Sequence, residues 1–67
     1  MNKKDRERIS TLVNRLEMAA HDAAVECKKL RRLGDAELAA RHAGYYTAYW
    51  DSACRVKALL PKGGEDD

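Results

Sequence analysis

From Asp5 to Leu33 the chain contains no glycine and no proline, and its apolar residues recur in steps of three and four. Ile9, Leu12, Val13, Leu16, Ala19, Ala20, Ala23, Cys27 and Leu30 make up this series. At about 100° per residue they fall within an arc of roughly 140°, the width of an amphipathic helix's core-facing stripe. Lys4, Arg8, Arg15, Asp22, Glu26 and Lys29 occupy the other side. The pattern predicts one long helix over about 5–33. Gly34 then supplies a residue that adopts the left-handed C′ conformation at no steric cost. Asp35 follows as an N-cap, with Glu37 in the next first turn, where an anion is favoured. The turn is therefore 34–35, and the second helix is expected over about 36–60. Pro61 stops it, because proline disfavours helical geometry at the residue before it. The polar stretch 62–67 is expected to be a disordered tail.

So short a connection forces the helices antiparallel. The expected fold is all-α: a single antiparallel two-helix hairpin over 1–61, dimerising into a four-helix bundle. Two helices form one seam, and one flank of each apolar stripe stays wet. On the second helix Leu38, His42, Tyr45, Tyr49, Ala53, Val56 and Leu60 form the predicted inner stripe. Tyr45 and Tyr49 are expected to face the thin alanine stretch of the first helix, large against small.

The chain has 3 Tyr, 1 Trp and no Phe, and all four aromatic residues lie between Tyr45 and Trp50. Tyr46 and Trp50 lie roughly 60–140° round from the inner stripe, one turn apart, beside Lys57. They widen the apolar face beyond what one hairpin covers. Tyr and Trp bury large areas at low rotamer cost and dominate binding hot spots. A third row, Ala40, Gly44 and Ala48, steps by four along the outer side and permits close approach of another backbone. Gly44 costs about 1 kcal/mol of helix stability relative to alanine. Close contact with a partner helix and a poorly optimised surface explain it equally well.

A chain of 67 residues buries only about 60% of its unfolded surface and is marginal alone. Cys27 and Cys54, the two cysteines, lie about 18 Å apart along the hairpin by helical rise and cannot bridge within one chain. Association is the remaining supplement, and a two-fold copy covering the Tyr46–Trp50 edge is the expected form. No run approaches the ~20 apolar residues of a membrane span. MNKKDRERIS carries basic residues with no apolar segment behind them. Both features predict a cytoplasmic chain with reduced thiols and no membrane partner.

Charge alters the picture in one place. Residues 1–33 hold nine Lys/Arg against five Asp/Glu, while 34–60 hold three of each. Lys28, Arg31 and Arg32 cluster at the end of the first helix, where cations answer the macrodipole. With Arg15 they also form the basic face a nucleic-acid-binding protein would use. The scattered acids Asp5, Glu7, Asp22 and Glu26 interrupt that face, so nucleic acid ranks second as a partner.

No phosphate loop, HExxH or nucleophile elbow occurs, so no catalytic residue, metal or cofactor is expected. Cys27 and His42 are brought level by the hairpin. That pair reads as an activated thiol, as half a zinc site, or as a small buried cysteine beside a core-edge histidine, and the last is the expected reading. The expected function is therefore non-enzymatic docking on a protein partner.

The outline resembles the Rop-type plasmid copy-number regulators, short hairpins that dimerise into four-helix bundles and bind paired RNA loops. The features that carry the resemblance are the long first helix, the turn Leu33-Gly34-Asp35-Ala36-Glu37 and the acidic tail Gly63-Gly64-Glu65-Asp66-Asp67. It implies an RNA- or DNA-binding regulator using Arg15, Lys28, Arg31 and Arg32; the aromatic block departs from it. The segment from Leu33 to Ala39 is similar to a helix start in the Hha-type nucleoid modulators. Size and the lack of catalytic motifs are similar to phage-encoded inhibitors of host defence or transcription machinery. That likeness implies an inhibitor or adaptor of a larger complex.

Overall fold

Two helices make up the fold in the computed structural model, which describes residues 1–61; the expected tail at 62–67 lies outside the described residues. Helix α1 runs Lys3–Arg32 and helix α2 Ala36–Lys57, and they pack along their length as a hairpin. The molecule is a rod of 51 × 15 × 14 Å. Among the described residues there is no strand.

Helix α1 starts two residues earlier than the apolar pattern indicates, because Asn2 caps it. The Asn2 side chain accepts a 2.8 Å hydrogen bond from the Asp5 N–H, and the Asn2 carbonyl accepts one from the Arg6 N–H. Asparagine is among the strongest N-caps.

The reversal is built from two bonds and one conformation. Gly34 has φ +83°, the left-handed region. The Gly34 N–H donates to the Arg31 carbonyl at 3.1 Å, and the Asp35 N–H donates to the Leu30 carbonyl at 3.0 Å. Together these are the paired bonds of a Schellman motif. The Asp35 carboxylate meanwhile accepts from the Leu38 N–H at 3.1 Å and caps α2. Asp35 thus closes one helix with its amide and opens the next with its side chain.

Regular α geometry ends at Lys57 rather than Leu60. The Leu59 and Leu60 amides donate to the Val56 and Lys57 carbonyls, three residues back. Such a tightened last turn satisfies terminal carbonyls and leads into Pro61, which disfavours an α conformation at the residue before it.

The seam is made of small side chains. Val13, Ala20, Ala23 and Cys27 are buried on α1, and Ala39 and Ala53 on α2. Val13, Ala20 and Cys27 are seven apart and Ala39 and Ala53 fourteen apart, the heptad spacing of a left-handed pair of helices. Ile9, Leu16, Ala19, Leu30, Leu38, His42, Val56 and Leu60 are half-buried along its edges. Two expectations change here. Tyr45 and Tyr49 are not enclosed but remain 46% and 41% exposed, and Leu12 is 46% exposed. The line of closest approach on α2 runs through Ala39 and Ala53. Tyr46 lies on that same line, seven residues from each alanine, while Tyr45 and Tyr49 border Ala19 and Ala23 of α1 from one side.

Candidate functional site

The six residues from Tyr45 to Trp50 make one and two-thirds turns of α2, so their rings spread across the seam rather than along it. Tyr45, Tyr46, Tyr49 and Trp50 are 46%, 40%, 41% and 47% exposed. Four large rings thus stand at nearly equal half-exposure within one short segment.

The rings fall into two sets on opposite flanks. Tyr46 and Trp50, one helical turn apart, stack with centroids 6.4 Å apart and planes inclined by 13°. Tyr46 closes a shallow groove with Ala43 of α2 and Ala24, Cys27, Lys28 and Arg31 of α1. Its floor is apolar and its rim is basic. Lys57 is seven residues beyond Trp50, on the same side of α2 at about 20° round.

On the other flank, Tyr45 and Tyr49 border a groove with His42, Ala19 and Ala23, rimmed by Asp22 and Glu26. The His42 and Tyr45 rings meet edge to face at 5.2 Å and 82°, a favoured aromatic geometry. Helix α1 continues this flank toward its N-terminus. Leu12 lies in a depression there that includes Arg8 and Arg15.

The remaining predicted residues are placed as follows. Ala40, Gly44 and Ala48 are all exposed on the outer side of α2. A Cβ added at Gly44 would meet nothing within 4 Å. The same helix carries an exposed Asp51–Arg55 ion pair at 3.0 Å and a Thr47 hydroxyl that donates to the Ala43 carbonyl at 3.1 Å. Of the four basic residues singled out, Lys28 and Arg31 are brought together at the Tyr46 groove. Arg32 is exposed at the end of α1. Arg15 is not part of that cluster: it is thirteen residues from Lys28, roughly 20 Å along the axis and about 140° round.

Cys27 and His42 line different grooves. Cys27 is buried, Cys54 is exposed, and both are free thiols. Among the described residues no group of three or more His, Cys, Asp or Glu is arranged to hold a metal ion. No helix of the described residues is long and apolar enough to cross a membrane.

The pattern of apolar positions did not reveal Ala43 and Ala24 as groove floors. Alanine carries little weight in a hydrophobicity wheel, and its role here is to be small. The opposite charge of the two rims was legible in principle, since Asp22 and Glu26 are four apart and Lys28 and Arg31 three apart, both spacings that put side chains on one face. Comparison with protein-family models, with curated proteins and with solved structures finds no match for this chain.

Proposed function

We propose that this chain is a small non-catalytic docking protein, acting in the cytoplasm as a dimer of hairpins that forms a four-helix bundle. It engages a protein partner through Tyr46 and Trp50, with Lys57 beside them. The observation that carries the reading is the stacked Tyr46–Trp50 pair, 40% and 47% exposed, next to an apolar groove with a basic rim. Stacking restricts both rings before any partner arrives, so less side-chain entropy is lost on binding. Trp and Tyr anchors of this kind dominate interface energetics. An inhibitor or adaptor that occupies a site on a larger complex is the form this surface suits best. The basic rim favours an acidic partner surface.

The dimer is supported by the thinness of the seam. Its enclosed side chains are one valine, one cysteine and four alanines. A 67-residue chain with so slight a core gains stability chiefly by covering more of its rings.

Affinity capture from the native host, comparing wild type with Trp50→Ala, tests the docking reading. The expected result is a defined protein retained by the wild type and lost with Trp50→Ala at unchanged helicity. The loss corresponds to about 2 kcal/mol, or roughly thirtyfold in affinity. Equal retention by both chains refutes it.

Nucleic acid is the second reading, favoured by Lys28 and Arg31 flanking Tyr46, an arrangement that can seat a phosphate beside a stacked base. Binding would then fall by about 0.7–0.9 log units per log unit of salt for each phosphate contacted. Unchanged mobility of RNA and DNA at low salt rejects it.

A further inference from the structure

The two flanks of the hairpin differ in how their charges are ordered along the rod, and this difference decides which flank a second copy can cover. On the Tyr45–Tyr49 flank the N-terminal half of α1 presents Leu12 with Arg8 and Arg15. The C-terminal half presents the tyrosine groove rimmed by Asp22 and Glu26. Among the described residues none of these four charged side chains makes an ion pair. We infer that this flank is the dimer interface, formed by two copies packed antiparallel about a two-fold axis near the level of Met18.

A two-fold axis requires the patch to complement itself; Leu12, Arg15, Asp22 and Glu26 meet that condition, while Lys29, on the row of Arg15 and Asp22, comes level with Arg8 at the outer margin. An axis placing Arg8 against the partner copy's Glu26 lies at the level of Glu17. An axis placing Arg15 against the partner copy's Asp22 lies between Met18 and Ala19. The two differ by one and a half residues, about 2 Å of rise, so one axis serves both pairs, each made twice. The same operation carries the exposed Leu12 of one copy to the Tyr45–Tyr49 groove of the other. Ala19, half-buried at the centre, leaves room for the two α1 helices to cross closely. One side of a 51 × 15 Å rod offers on the order of 800 Å², the area each partner of a stable complex buries.

The opposite flank fails the same test. Lys28 and Arg31 stand at one end of it and Lys57 at the other. In the hairpin Lys57 is level with the part of α1 around Thr11 and Leu12, so an antiparallel two-fold at the level of Ala20 would set Lys57 against Lys28. Like charges brought together disfavour that pairing. The Tyr46–Trp50 shoulder is therefore left free in the dimer. This rests on the reading of the chain as a dimeric docking protein and assigns its two aromatic pairs separate duties.

Sedimentation equilibrium of the full chain, with far-UV circular dichroism as the check on folding, tests the assignment. Arg15→Glu and Asp22→Arg should each weaken dimerisation by about tenfold, since each reversal creates two repulsive contacts per dimer. The double variant R15E/D22R should return to within about threefold of wild type. Leu12→Asp should give a monomer, and Trp50→Ala should leave the dimer unchanged. A wild type that is monomeric at every concentration overturns the inference. So does a dimer indifferent to both reversals, a double variant no better than the singles, or a dimer lost with Trp50→Ala. If dimerisation behaves as expected while Trp50→Ala leaves partner capture intact, the docking reading alone falls.

Discussion

One methyl group added at two glycines should change stability in opposite directions, and the two signs test the structure at its turn and on its outer face. Gly34 sits at φ +83° with nothing within 4 Å of the position a Cβ would take. No clash opposes alanine there, so the whole cost is conformational. Holding an L-residue in the left-handed region costs roughly 1–2 kcal/mol, offset in part by the lower chain entropy of unfolded alanine. Gly34→Ala should therefore destabilise by about 1 kcal/mol. Gly44 lies inside α2 with ordinary helical geometry and equally open surroundings. Alanine there removes the intrinsic helix penalty of glycine, about 1 kcal/mol, and should stabilise by that amount. For a domain of this size 1 kcal/mol shifts Tm by roughly 4–8 °C, so the two variants should separate by about 10 °C in thermal melts followed by circular dichroism at one protein concentration. The informative failure is at Gly44. A Gly44→Ala chain that melts below wild type, by a margin that grows with protein concentration, would show another copy's backbone against the Ala40–Gly44–Ala48 row. The dimer would then use the outer face of α2, and the interface inferred at Tyr45 and Tyr49 would be wrong.

Two further outcomes check local features. Asp35→Ala removes the carboxylate that accepts from the Leu38 N–H and should cost about 1 kcal/mol, with Asp35→Asn recovering most of it in the same melts. Under native conditions a thiol reagent should modify one cysteine quickly, the exposed Cys54, and the buried Cys27 only as the hairpin opens; equal rates at both sites would mean that the seam does not close over Cys27.

The turn was legible because its chemistry is local. Gly34 and Asp35 act through their own backbone conformations and through bonds to residues within five positions, so sequence alone locates them. The α1 stripe was legible for a related reason: its buried members are separated by polar residues, and the period stands out. Helix α2 gave no such contrast. Alanines lie on every side of it, at Ala36, Ala39, Ala40, Ala43, Ala48, Ala53 and Ala58, and a wheel weighted by hydrophobicity turns toward the tyrosines. The structure turns toward Ala39 and Ala53 instead. On α1 the alanines Ala19 and Ala23 lie beside Tyr45 and Tyr49, so the rings border the small residues of the seam without being enclosed by them. The displacement is only about 60° of rotation, yet it changes the meaning of the aromatic block. With the seam under Tyr45 and Tyr49, two rings would be core and two would be surface. With Ala39 and Ala53 buried, Tyr46 falls on their line and all four rings still stay half-exposed, in two pairs. Each pair then takes its character from whichever charges α1 places beside it, Asp22 and Glu26 on one flank, Lys28 and Arg31 on the other. The two flanks thus differ because α1 sets different charges beside rings that a seam of one valine, one cysteine and four alanines leaves half-exposed on both of its sides.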